Sequence, residues 1–201
     1  MNPIELLKIL HTVEKLKGTT RHSYTSAGRH ESVAEHTFRL ALAAYFIKDE
    51  FPEADMDRVI KMCLVHDLGE IFTGDIPAFD KTAADEANEA RLLESWVSSL
   101  PAPISGELAA ILEELNEQAS LEARIFKALD GLEAVIQHNE ADISTWEAHE
   151  YELNLRYAED RCAFSTFLAQ LRSAVRKETE EKIAGESINN DEHNKKIHKT
   201  Q

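Results

Sequence analysis

Cysteine is nearly absent: Cys63 and Cys162 are the only two in 201 residues. They lie far apart, which excludes a disulfide framework and a paired-cysteine metal site. Seven glycines and five prolines are few for the many tight turns of a β-rich fold. No apolar run approaches 18 residues, so no segment reads as a transmembrane helix. Positive charge is also scarce. Twenty-two Lys and Arg stand against 37 Asp and Glu, a net charge of -15. That excludes a nonspecific binder of DNA, RNA or anionic membrane. A small anionic substrate remains compatible, provided a local cation or a metal outweighs the global field. Unpaired thiols and the absence of a signal-peptide pattern give the expectation of a cytoplasmic protein.

What is abundant is helix-forming sequence. Long stretches rich in Ala, Leu, Glu and Lys carry apolar residues at helical spacing. The pattern predicts helices over 3–17, 32–50, 55–70, 82–99, 104–118, 120–140, 145–160 and 161–184. Residues 18–30 read as a loop holding two arginines and two histidines. Ser32 with Glu35 fits a capping box, and Asp55 fits an N-cap. The expectation is an all-α, single-domain bundle of seven to eight helices over residues 1–184. Past Gly185 the chain turns polar, so 185–201 reads as a disordered tail.

One stretch breaks the rule that apolar faces stay apolar. Residues 66–75 read H-D-L-G-E-I-F-T-G-D and follow the apolar V-I-K-M-C-L-V. On a continuous helix, Met56, Val59, Cys63, His66, Asp67 and Glu70 share a sector of roughly 100°. Charge on a buried face is costly unless it is paired or bound to a metal. His36 lies on another apolar face, and Asp130 at the edge of a third. Each alone reads blandly, as a core histidine, a chance pair or a solvated aspartate. Together they are two imidazoles and two carboxylates from three helices. Such a set suits one divalent cation among Zn, Mn, Fe, Co and Ni, and the sequence does not choose.

H…HD…D with an acidic residue after the HD pair resembles the HD-domain metal-dependent phosphohydrolases. The segments E-S-V-A-E-H-T (31–37), L-V-H-D-L-G-E (64–70), T-G-D-I-P (73–77) and A-R-I-F-K-A-L-D (123–130) are similar to the 5′-deoxynucleotidase branch. The likeness covers about residues 5–150. It implies His36, His66, Asp67 and Asp130 as ligands of one divalent metal, with Mg added to the candidates above. It implies Glu70 as the catalytic carboxylate and Asp75 as the residue at the sugar 3′-hydroxyl. Arg21 falls where the family contacts phosphate, and Arg29 and Lys81 are further candidates by placement. It also implies a homodimer, and the apolar stripes of the later helices exceed what one core absorbs.

The expected reaction is therefore hydrolysis of a nucleoside 5′-monophosphate. One departure stands out: His22 follows Arg21 where the branch often has tryptophan, a residue associated with deoxyribose recognition. No histidine occurs between 67 and 130, which favours one metal over two. Two other readings are weighed. One is an HD hydrolase acting on a phosphodiester, a triphosphate or an alarmone. The other is a non-catalytic helical interaction protein stapled by metal.

Overall fold

The computed structural model describes residues 1–199, with side chains described for residues 1–186. It contains ten α-helical segments among the described residues, two of them single four-residue turns. They are α1 (Pro3–Val13), α2 (Val33–Phe46), α3 (Met56–Val65), α4 (Glu70–Thr73), α5 (Ala83–Ser98), α6 (Ile104–Glu117), α7 (Leu121–Glu140), α8 (Glu150–Arg156), α9 (Glu159–Cys162) and α10 (Thr166–Lys199). The all-α class expected from composition is the class observed. No helix of the described residues is long and apolar enough to cross a membrane.

Helix starts follow local capping chemistry. Asn2 with Glu5, Ser32 with Glu35 and Thr82 with Asp85 each form a reciprocal capping box. The Asp55 side chain accepts from the Arg58 N–H at the head of α3. Each cap satisfies backbone donors that the first turn leaves without a partner.

Three departures from the sequence pattern appear, the first two with a backbone cause. Residues 18–30 are not simply a loop: β1 (Thr20–Tyr24) pairs with β2 (His30–Ser32). Gly28, at φ 78°, permits the turn between them, and His30 Nδ1 lies 3.0 Å from the Arg21 carbonyl across the pair. The helix expected over 145–160 is broken into α8 and α9, with Ala158 in the left-handed region at φ 63°. Finally, α10 continues past Gly185 to Lys199. Otherwise the expected polar tail falls outside the described side chains.

The chain forms two compact units. The first comprises residues 1–22 and 30–130. Within it, α2 packs along α3, and Leu40 and Ala44 of α2 and Val59, Met62 and Cys63 of α3 are fully buried. A second apolar cluster joins Leu16, Val33, Leu68, Ile71, Val97 and Leu108. Leu68 and Ile71 belong to this cluster, so the charge-bearing turn between α3 and α4 is anchored by its own apolar residues. The second unit comprises residues 23–29 and 131–201. There α10 packs on α8 and α9. Arg172 donates to the carbonyls of Tyr157 and Asn154 at 2.8 and 3.0 Å. Gly131 is required by close approach, since a Cβ there would sit 2.6 Å from that of Ala158.

Candidate metal centre

The helix carrying the charge cluster does not run on to residue 70. It ends at Val65, and the backbone tightens into i to i−3 turns. The N–H groups of Leu68, Glu70 and Phe72 donate to the carbonyls of Val65, Asp67 and Gly69 at 3.2, 3.1 and 3.0 Å. At three residues per turn, positions three apart eclipse. Glu70 therefore aligns with Asp67 rather than lying one α-turn beyond His66. Gly69 makes room for this turn beside α5: a Cβ there would lie 2.6 Å from Glu89 Cγ.

This turn brings His66 and Asp67 to His36 of α2 and Asp130 of α7. His36 Nε2 lies 3.4 Å from Asp130 Oδ1 and 3.9 Å from Asp67 Oδ2. His66 Nε2 lies 2.9 Å from Asp67 Oδ2 and 3.9 Å from Asp130 Oδ1. Atoms that share one cation at about 2.0–2.2 Å must stand roughly 3–4 Å apart. The His36, His66 and Asp67 atoms form a group that could hold one divalent ion, and Asp130 Oδ1 approaches both imidazoles from α7. The remaining geometry agrees. His66 Nε2 is buried and lacks a hydrogen bond of proper geometry despite the short approach to Asp67. On the other side of the ring, His66 Nδ1 donates to the Cys63 carbonyl at 2.9 Å. That fixes the tautomer and leaves the Nε2 lone pair toward the carboxylates.

Electrostatics follow the same convergence. Burial alone would raise the Asp67 carboxyl, but His66 and His36 beside it pull it down to about 2. Burial also opposes ionisation of Asp130. The close approach of the His36 imidazole and the charge of the Lys127 ammonium hold it well below the usual carboxylate range. Lys127 Nζ sits 3.0 Å from Asp130 Oδ2, so Oδ1 is left to face the imidazoles.

Glu70 is 6% exposed. Burial, then the charges of Asp67 and Asp75, push its carboxyl up to about 10. Its Oε2 has no hydrogen-bond partner. Asp75, raised by burial, shares a hydrogen bond with Glu70 and accepts another from the His22 backbone N–H. The Arg21 charge acts on both carboxyls, while its Nη1 pairs with buried Glu31 at 3.3 Å.

Other expected residues stand differently. Lys81 is engaged by Glu89 at 2.7 Å, an ion pair that periodicity could not reveal. Arg29 is exposed, and its carbonyl closes the hairpin turn by accepting from the Thr25 N–H and hydroxyl. It falls in the second unit. His22 meets Phe79 with rings perpendicular and centroids 5.5 Å apart. Lys127, Glu89 and Phe79 are absent from the sequence reading. Only Lys127 carried a signal, its position one turn before Asp130. A cleft of about 1260 Å³ opens beside His66 and Asp67, lined also by Lys81, Glu89 and Lys127.

Comparison with known proteins gives three results. A family model described as HD domain matches residues 13–187. The human 5′-deoxynucleotidase HDDC2 is 34% identical over 139 residues, 67% of this chain and 67% of that protein. Its counterpart in Dictyostelium discoideum is 28% identical over 181 residues, 85% and 88% of the two chains. Among solved structures, a predicted metal-dependent phosphohydrolase from Magnetospirillum magnetotacticum MS-1 superposes with a TM-score of 0.76. It is 24% identical and covers 90% of this chain and 95% of that one. The cyanophage S-2L HD phosphohydrolase, bound to dA and one catalytic zinc ion, has a TM-score of 0.56 at 22% identity. It covers 87% of this chain and 96% of that one.

Proposed function

The chain belongs to the HD-domain family, and from that premise we propose that it is a metal-dependent phosphomonoesterase. It hydrolyses (deoxy)nucleoside 5′-monophosphates to nucleoside and phosphate. The observation that carries this reading is the meeting of four donor atoms, from His36, His66, Asp67 and Asp130, beside a buried Glu70. The relatives named 5′-deoxynucleotidase supply the substrate class.

His36, His66, Asp67 and Asp130 hold one divalent ion in this reading. The bound ion supplies Lewis acidity at a phosphate oxygen and lowers the pKa of a nearby water. The protein's own groups do the rest. A cation at the neighbouring donors would lower the Glu70 carboxyl from the raised value of the metal-free protein. The ionised Glu70, whose buried Oε2 carries no other hydrogen bond, would then orient the attacking water and take its proton. Asp75 accepts from the sugar 3′-hydroxyl and so aims the leaving oxygen. Arg21 stabilises charge on the phosphate oxygens. The Glu31 partner of Arg21 holds the guanidinium in place before substrate arrives. Lys81 adds positive charge from the cleft wall while tied to Glu89. Arg29 contributes only if substrate reaches the hairpin turn. His22 occupies the sugar side, where its narrower ring relaxes the choice between deoxyribose and ribose.

Residues 1–184 act as one catalytic HD domain here, with 185–201 a polar appendage. A homodimer is part of the same reading. Phe38, Leu42, Tyr45 and Phe46 leave an exposed apolar stripe on α2, which a second copy would cover. Free, buried Cys63 and Cys162 support a cytoplasmic setting.

The test is phosphate release from matched ribo- and deoxyribonucleoside monophosphates. The protein is stripped of metal and reloaded with Co, Mn, Mg, Zn, Fe or Ni in turn. Release from both sets is expected. No release with any metal would overturn the reading in favour of a binding role or of diester and pyrophosphate substrates.

A further inference from the structure

Phe79 is 45% exposed, and three successive contacts, through His22 and Asp75, join it to the buried Glu70. Asp67 bears on Glu70, Glu70 and Asp75 share a hydrogen bond, and Asp75 accepts from the His22 N–H. The His22 ring then meets the Phe79 ring edge to face at 5.5 Å. Single exposed apolar residues are ordinary on protein surfaces. An exposed ring locked against the residue beside the candidate sugar-binding aspartate is not an arbitrary one.

The ring is also presented rigidly. Pro77 opens the turn that carries it, and the N–H groups of Asp80 and Lys81 both return to the Pro77 carbonyl at 2.8 and 3.0 Å. Lys81 then fastens the end of the turn to Glu89 of α5 at 2.7 Å. A platform held in advance loses little entropy when a flat partner stacks on it. Aromatic side chains stack on any base because every base has a π-face.

We propose that Phe79, braced by His22, forms the nucleobase-contacting wall of the site and is a specificity-determining residue for substrates that carry a base. This inference rests on the phosphomonoesterase reading for its substrate. The ligand class is a purine or pyrimidine nucleoside, with the larger purine face held more tightly. The wall tells a nucleotide from a bare sugar phosphate, a distinction that the metal, Glu70 and Asp75 do not make.

The experiment compares wild type, Phe79→Ala and Phe79→Trp in the metal-loaded protein. Isothermal titration with 2′-deoxyadenosine measures base contact without turnover. Steady-state kinetics on dAMP and on 2-deoxyribose 5-phosphate measure it with turnover. We expect Phe79→Ala to weaken 2′-deoxyadenosine binding by about tenfold. Its KM for dAMP should rise by a similar factor relative to that for the sugar phosphate, and Phe79→Trp should restore both. Unchanged nucleoside affinity and an unchanged KM ratio in Phe79→Ala would overturn the proposal. If wild type hydrolyses neither phosphate, the phosphomonoesterase reading fails. The titration then decides Phe79 by itself, because loss of nucleoside binding in the alanine variant still supports the wall.

Discussion

The Nδ1 of His66 lies 2.9 Å from the carbonyl oxygen of Cys63, three residues back in the same chain. The last turn of α3 therefore sets the tautomer of the histidine that follows it. With Nδ1–H committed, Nε2 is a lone-pair donor facing Asp67 and Asp130. His66→Ala and Asp67→Ala should each abolish stoichiometric metal, measured by elemental analysis after dialysis. Phosphate release should vanish with it. Wild-type metal content in either variant would remove that residue from the ligand set.

Glu70 separates chemistry from metal binding. Glu70→Gln should retain metal and lose roughly 10²–10⁴-fold in kcat, the usual contribution of a positioned general base. Full activity in that variant would end its assigned role.

The same residue makes a pH prediction for the metal-free protein. Its folded pKa, about 10, lies above the ordinary 4.5. The folded state thus holds a proton that the unfolded chain releases, and stability falls as pH rises from about 4.5 toward 10. Asp67 runs the other way, its stabilisation being present above 3.8 and lost as pH falls toward about 2. Metal-free Glu70→Gln should therefore exceed metal-free wild type at pH 8 by about 1–3 kcal/mol, because unfolding the wild type releases a proton there and unfolding the glutamine variant does not. The two should nearly coincide at pH 5. Thermal melts at both pH values, with chelator present, decide it, and an equal gap at both would refute the assignment.

Lys127 holds one oxygen of Asp130 while the other faces the imidazoles. Lys127→Met should weaken metal affinity by about 10–100-fold, the usual cost of losing a group that orients a ligand. Competition titration with Co measures it. An unchanged constant would reduce the pair to a surface contact.

Gly69→Ala should cost about 1–3 kcal/mol, because its Cβ would overlap the Glu89 side chain at 2.6 Å. Glu89→Ala in the same chain should recover most of that loss. Urea denaturation of the single and double variants tests the coupling, and additive losses would show that Gly69 and Glu89 do not interact.

Much of the helical order was legible because it is locally encoded. Ser32 with Glu35, and Asp55 ahead of Met56, cap their helices with groups three residues away. The hairpin of β1 and β2 was not legible, since five polar or half-buried residues have no clean alternation to show. The tightened turn at 66–72 was hidden for another reason. Nothing in H-D-L-G-E forbids an α-helix, and the end of α3 is fixed by Leu68 and Ile71 entering the apolar cluster with Val97 and Leu108.

The sequence by itself determined the donor types. His36, His66, Asp67 and Asp130 are marked by charge on faces whose spacing is otherwise apolar. It also determined the resemblance through which roles were assigned. Only the tertiary structure decided which atoms meet: that Glu70 eclipses Asp67, that Lys81 is bound to Glu89, and that Phe79 meets His22. The physical reason is range. Caps and periodicity act over three or four residues. The site needs His36 within 4 Å of both Asp67 and Asp130, and only tertiary packing sets those distances.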